Sequence, residues 1–380
     1  MPGHEELREN IMSDPMWRLI VDKNSYADFS VSVSPAVERA VVNGDAPPTI
    51  FLNIFDQDSI TIGVNEDPEQ VLDLTFCRDN NIDFRRRVNG GGAIYTGTGS
   101  AFMVYFVPTS HPDVPETTAE AFPKILTAFA ETLTEQFGFP ARYRPLNDVQ
   151  VEGRKLVPTS LKIENGVMTF RFVVNVKEMN TEIAGAAMPM PPEKVQDKVH
   201  KDLQSRFTCL EREAGYAISA EDLEQMARAA VAHAFSGTKL EFGVLTDVER
   251  RYAEEFRAEY DNDGWLFGKS ECNRFRSDMK AGDTVGYGRE KAVGGMLWAT
   301  LAVRDGKVFH AILNGDWHPR PIDAVGWLED ALVGVDATED AVCDAVTSFM
   351  GRDDVEFASV EIANLMAAFG KALAAQKLVG

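Results

Sequence analysis

Residues 85–100 read RRRVNGGGAIYTGTGS. Ordering three adjacent glycines costs backbone entropy, and one sharp turn needs only one or two of them. A run of three implies that something approaches the main chain closely, and the three preceding arginines imply that the visitor is anionic. Ile82–Phe84 on one side and Ala101–Pro108 on the other read as strands, so the loop is expected to span two strand ends. Backbone N–H groups in such a loop converge on phosphate or carboxylate oxygens, as in a nest. An adjacent arginine adds charge-assisted bonds of roughly 1.5–3 kcal/mol each. The bland alternative is a glycine-rich hairpin beside a solvated basic stripe.

The chain carries 38 basic and 59 acidic residues, a net charge of −21. That balance excludes a nucleic-acid binder, which needs a basic field. Arg85, Arg86, Arg87, Arg142, Arg144, Arg154, Lys155 and Lys162 nevertheless form a basic island in an otherwise acidic protein, which again points to an anionic ligand. The first fifteen residues lack the apolar run of a signal peptide, and no stretch has the length of a membrane span. Cys77, Cys209, Cys272 and Cys343 are scattered and read as reduced thiols of a cytoplasmic protein. The dispersed histidines suggest no transition-metal cluster.

Alternating apolar patterns place strands at 49–55, 59–63 and 101–108, and a hairpin within 149–176 turning at Asn165–Gly166. Helical spacing covers 117–138, with Thr117 and Glu120 as a capping box and Gly138 as the stop. Pro123 sits awkwardly inside it, which suggests a start at that residue. Helices are also expected near 192–213 and 219–235. Polarity rises around 240–250, where a boundary separates a domain at 1–245 from a smaller one at 250–380. The second holds a hairpin turning at Asp305–Gly306, then helices near 321–333, 338–350 and 355–377.

Two phosphate-loop decoys can be set aside. Gly268-Lys269-Ser270 ends like a Walker A loop, but the required first glycine position is Asp263. Gly97-Thr98-Gly99 starts a dinucleotide fingerprint whose third glycine position is Phe102. A second candidate site is Asn147-Asp148 followed by Glu152-Gly153-Arg154-Lys155. Lys155 has apolar neighbours and so is expected to point into a pocket, and Asp148 suits Mg²⁺ shared with phosphate oxygens. Glycine loop, aspartate and lysine together make a kit for activating a carboxylate with ATP.

These residues resemble the lipoate–protein ligase family. Arg86-Arg87-Val88-Asn89-Gly90-Gly91-Gly92-Ala93-Ile94-Tyr95 is similar to its RRxSGGGAVxHDxGN signature, and Asn147-Asp148…Gly153-Arg154-Lys155 to its ND…GRK(I/V)xGSA element. Ile62–Pro68 looks like IGxxQNP, Ser205–Leu210 like SRVTNL, and Phe256 with Gly264–Ser270 like FxxxxWxxGKSP. The resemblance implies an α+β fold: a class II biotin/lipoate ligase-like catalytic domain with a mixed, largely antiparallel sheet flanked by helices, plus a small α+β accessory domain. It implies that lipoate, or a related acid such as octanoate, is activated with Mg²⁺ and ATP to an acyl-AMP. The acyl group then passes to a lysine of a lipoyl carrier domain, of the 2-oxoacid dehydrogenase E2 or glycine cleavage H-protein type.

Carried over by position, Arg87 orients carboxylate and phosphate, and Lys155 stabilises the charge on both. Asn89, Gly90, Gly91, Gly92, Ala93, Tyr95, Asn147, Asp148, Thr159 and Thr169 contact acid or nucleotide, with Asp148 also on the metal. The chain departs from the family at Asn89, Thr96, Gly97 and Ser100, and Val157-Pro158-Thr159-Ser160 replaces xGSA. Two other functions fit such departures: an ATP-independent octanoyl or lipoyl transferase, or an impaired paralogue that binds lipoyl-AMP or a carrier. The transferases use a thiol near the lysine, and here no cysteine lies between Cys77 and Cys209. The GRGRxxRxW-type loop of biotin ligases is missing.

Overall fold

The computed structural model describes residues 16–145, 147–189 and 206–378. The first strands are β1 (Trp17–Ser25), β2 (Thr49–Phe55), β3 (Ser59–Ile62), β4 (Asp83–Arg86), β5 (Ile94–Thr96), β6 (Ser100–Pro108) and β7 (Ala141–Arg144). They are followed by β8 (Asp148–Val151), β9 (Arg154–Glu164), β10 (Val167–Asn175) and β11 (Leu240–Phe242). Eight of these form one mixed sheet, in the order β11-β1-β2-β6-β10-β9-β8-β7. β1 runs parallel to β2 and β11, and the remaining pairs are antiparallel. The two hairpins at its β8–β10 end turn at Glu152–Gly153 and Asn165–Gly166, all four residues having positive φ, as tight two-residue turns require.

Helices cover both faces. On one side lie α1 (Ser34–Asn43), which continues a π-helical turn at Phe29–Val33, and α4 (Asp247–Tyr260), burying Phe29, Val37, Val41 and Phe51. The opposite face carries α2 (Thr118–Phe137) and α3 (Ala220–Ala234) over the main core of Trp17, Leu52, Met103, Phe129, Phe170 and Phe172. α2 starts at Thr118, not at Pro123: the Thr117 hydroxyl accepts the Glu120 N–H at 3.3 Å, and this cap holds the first turns so that the proline is absorbed within the helix. Of the helix expected near 192–213, residues 192–205 lie outside the described set, and Leu210–Ala214 is helical.

The second body has its own sheet of β12 (Thr284–Ala292), β13 (Gly295–Arg304) and β14 (Lys307–Gly315), which turn into one another by antiparallel pairing. A two-strand ladder of β15 (Pro319–Arg320) and β16 (Glu356–Phe357) and the edge strand β17 (Lys377–Leu378) complete it. Helices α5 (Ala324–Leu332), α6 (Glu339–Met350) and α7 (Ile362–Ala374) pack a separate core of Leu297, Leu313, Val325, Leu328, Val346 and Phe369. The boundary expected at 245–250 overlaps the start of α4, and α4 itself packs with the first body. Its Glu249 is fully buried in an ion pair with Arg18 of β1, and Arg257 reaches Asp28 at 2.8 Å. No helix among the described residues is long and apolar enough to cross a membrane.

Candidate functional site

The glycine loop does not join the two strands expected. It connects β4 to β5, and these flank β3 in a separate three-stranded sheet, order β4-β3-β5. The short β5 intervenes before β6 because Tyr95 and Thr96 pair with Ile60 and Ser59. Close approach to bare backbone is real: a Cβ on Gly63, at the end of β3, would collide with the Gly91 carbonyl. Gly91 itself has φ +88°, a conformation that suits glycine alone without strain.

Arg87 is the clamp of this loop. It is 8% exposed and donates to the carbonyls of Thr61 (2.9 Å), Gly90 (2.7 Å) and Gly92 (3.0 Å). Burial lowers its pKa to about 10, so it stays protonated. Through these three bonds Arg87 organises the loop that a ligand would meet. Arg86 likewise serves carbonyls, those of Leu266 and Val64, while Arg85 pairs with Asp83 and Asp261. The basic island is thus largely neutralised within the fold: Arg154 pairs with Glu213 at 2.9 Å, and Lys162 with Glu38. Arg142 and Arg144 are exposed on the edge strand β7.

The visitor pressed against the glycines comes from the second body. The Gly91 N–H donates to the Trp317 carbonyl at 3.3 Å, and the Gly315 N–H to the Asn65 carbonyl at 2.8 Å. The His318 ring stands where Cβ atoms on Gly90 or Gly91 would meet it, at 3.2 and 3.1 Å. Glu66, 3% exposed, accepts the Gly63 N–H at 2.8 Å. Its carboxyl is pushed up to about 7 by burial, against the opposing pull of Gly63 and Arg87, with Asp316 adding to the rise. Burial, then Arg87, holds His318 below the ordinary imidazole range. Sequence reasoning missed Glu66, Asp316 and His318, the last two because they lie more than two hundred residues from the loop they meet. The neighbouring Gly264–Ser270 segment docks here as well, with Trp265 Nε1 donating to the Arg86 carbonyl at 2.8 Å. Lys269 is spent on Glu329 at 2.6 Å, which closes the question of a phosphate loop.

The Asn147–Lys155 element lies on the main sheet. Val149 and Val151 belong to the main core, so Asp148 and Gln150 face the other side. β9 carries a bulge opposite the Val149/Gln150 step: Val149 pairs with Val157, and Gln150 with Lys155, leaving Leu156 as the extra residue. Leu156 and Val157 are both buried in the core, and the bulge turns Lys155 toward Asp148. Nζ lies 2.9 Å from Asp148 Oδ2, whereas Asp148 Oδ1 is buried without a hydrogen-bond partner among the described residues. Asn147 and Thr159 tie to one another, Nδ2 donating to the Thr159 carbonyl at 2.6 Å and Thr159 Oγ1 to the Asn147 carbonyl at 2.6 Å. They frame Asp148 and have no other side-chain bond shown. Ala93 flanks the loop half-buried, and Asn89 lines an adjacent cavity. Tyr95 instead belongs to the small sheet's apolar cluster, where burial and Asp58 raise its phenol. Thr169 lies on β10 and donates to Glu38 at 3.0 Å.

Cys77 is buried under the small sheet. Cys209 is 2% exposed, with its thiol raised by burial. It begins the Leu210–Ala214 helix, two residues beyond Phe207, which bridges to Lys155.

Comparison with known proteins accords with this geometry. The lipoyl protein ligase A/B catalytic domain model matches residues 29–232. The chain is 27% identical over 275 residues to octanoyltransferase LipM of Kyrpidia tusciae, covering 67% of this chain and 99% of that protein. It is 24% identical over 317 residues to lipoate–protein ligase 1 of Staphylococcus aureus, covering 83% and 89%. Its fold matches that of P. falciparum LipL1, solved in complex with lipoate, at a TM-score of 0.64 and 14% identity over 90% of this chain and 95% of that one. With more than half its length matched by that family model, this chain belongs to the lipoyl protein ligase A/B family, in the class II biotin/lipoate ligase fold.

Proposed function

We propose that the chain is an AMP-forming, ATP-dependent ligase that activates lipoate or octanoate and passes the acyl group to a lysine of a lipoyl carrier domain. The observation that carries this reading is the Asp148–Lys155 pair, with one carboxylate oxygen unpartnered among the described residues. In the first half-reaction an acid oxygen bonds to the α-phosphorus and pyrophosphate leaves. The Lys155 ammonium, one-third exposed, is placed to hold both anions together and to offset the charge that gathers on the phosphoryl oxygens. In the second, the carrier amine attacks the acyl carbonyl, loses a proton, and AMP departs.

Asp148 fits a magnesium ion in one respect: Oδ1 is a buried carboxylate oxygen without a partner among the described residues. One or two carboxylates with substrate phosphates are the usual magnesium set, and the ion would supply charge neutralisation of the triphosphate. Two further facts support a ligase over a thiol-dependent transferase. The match to the ligase extends over 83% of this chain, against 67% for the octanoyltransferase. Cys209, enclosed and with a raised thiol, is a poor nucleophile. The test is pyrophosphate release: it should require both ATP and lipoate or octanoate, vanish in Lys155→Ala and persist in Cys209→Ser. Acyl transfer between carriers without nucleotide, lost in Cys209→Ser, would replace this reading with the transferase.

A further inference from the structure

Between α1 and the glycine loop lies a cavity of about 210 Å³, lined among others by Ser34, Glu38, Asn89, Lys162 and Arg171. Its charged wall follows from strand register. Met168, Phe170 and Phe172 of β10 face the main core, so Thr169 and Arg171 project from the opposite face, where Lys162 stands directly across from Thr169 and Ser160 across from Arg171. Glu38 of α1 is shared among three donors: Lys162 by an ion pair, Thr169 Oγ1 at 3.0 Å, and Arg171 Nη2 at 3.4 Å. Glu38 therefore faces two cations, and Glu164 adds a second negative charge to the surroundings of Arg171.

Arg171 is the under-used member. Its side chain is 13% exposed, and its one hydrogen bond shown is the long one to Glu38. Arg171 lines the cavity, so an anion lodged there would lie within reach of its guanidinium. Arg87 lies close enough for its own charge to be disfavoured by that of Arg171. An alkyl end lodged here would desolvate two cations and a carboxylate with nothing in return. A carboxylate or phosphate oxygen would meet charged donors instead.

The bulge at Leu156 puts Lys155 on the same sheet face as Lys162 and Arg171. Ser160 lies five residues from Lys155 along β9, so the two ends of the face are roughly 13 Å or more apart at the rise of a strand.

We propose that Arg171 and Lys162 form a second anion seat, which takes a carboxylate or phosphate group of the bound substrates at a distance from Lys155. As it concerns what this site accepts, the inference rests on the ligase reading, but the seat can be measured without turnover. Calorimetry on the full chain without nucleotide compares octanedioate with octanoate, and separately follows pyrophosphate. Octanedioate bound about tenfold or more tighter than octanoate, with that margin lost in Arg171→Met, assigns the seat to a distal carboxylate of the acid. Pyrophosphate binding lost in Arg171→Met assigns it to the nucleotide's phosphates. Glu38→Gln removes the competing carboxylate and should tighten whichever anion binds, a gain that misfolding cannot imitate. Equal affinity for the two acids together with no pyrophosphate binding, or binding of either anion unchanged in Arg171→Met, overturns the seat. Failure of nucleotide-dependent pyrophosphate release with these affinities intact would overturn the ligase reading alone.

Discussion

Replacing Glu66 with glutamine should change how stability depends on pH. In the folded chain this carboxyl titrates at about 7, against 4.5 when unperturbed, because burial disfavours its charge. Between those values the folded state binds more protons than the unfolded chain, so stability falls as pH rises. The penalty is absent below the lower value and complete above the upper one. Integrated from about pH 5.5 to about pH 8, it amounts to about 2 kcal/mol. Arg87 and Asp316 face the same carboxylate, Arg86 feels its charge, Asp67 follows it in sequence, and His318 faces Arg87 and Asp316. His318 is shifted downward, so its cost falls at low pH, in the opposite sense, but it is common to wild type and variant. Glutamine keeps an oxygen for the Gly63 N–H, and any constant change in hydrogen bonding cancels when slopes are compared. Urea unfolding at the two pH values, followed by fluorescence of the buried Trp17, should show wild type losing about 2 kcal/mol more than Glu66→Gln on going to alkaline pH. Equal losses in the two proteins would refute the buried-charge argument.

Arg18→Met should cost about 3–5 kcal/mol, because it strands the fully buried Glu249; the double variant with Glu249→Leu should recover most of this in the same unfolding assay. Gly63→Ala should lower the thermal midpoint by forcing the Gly91 carbonyl away, an overpacking cost of about 1–3 kcal/mol; an unchanged midpoint would mean that the loop yields freely. Charge reversal at Arg142 or Arg144, exposed on β7, should raise KM for an acidic carrier domain and leave that for ATP unchanged. Equal effects on both would remove β7 as the docking edge.

Local chemistry was legible in the sequence. The Asn165–Gly166 and Asp305–Gly306 turns, the Thr117 cap and the Gly138 stop all lie where short-range signals put them. The crowding of the glycine loop was legible too, but its visitor was not. Asp316, Trp317 and His318 arrive from a separate body, and spacing within a chain carries no information about such a contact. The arginines' intramolecular partners were equally illegible: carbonyls and carboxylates inside the fold engage the guanidinium groups of Arg85, Arg86 and Arg87. Arg171 left a trace in the sequence, a cation in the middle of the otherwise apolar strand VMTFRFVVN. Its partner Glu38 lies on a helix remote in sequence.

The bulge in β9 separates two kinds of information that a strand ordinarily couples. From the Asn165–Gly166 turn back to Val157, alternation alone assigns each side chain to a face. At Leu156 the count slips by one, so the chemistry of Lys155 is set by a phase change and not by its distance from the turn. A regular ladder through this point would pair Gln150 with Leu156, drive the Lys155 ammonium into the core and present leucine to Asp148. Loss of a single residue at 156, by contrast, would keep Lys155 opposite Gln150 and remove only the kink. The reactive end of this strand is therefore more exposed to errors of pairing than to errors of length.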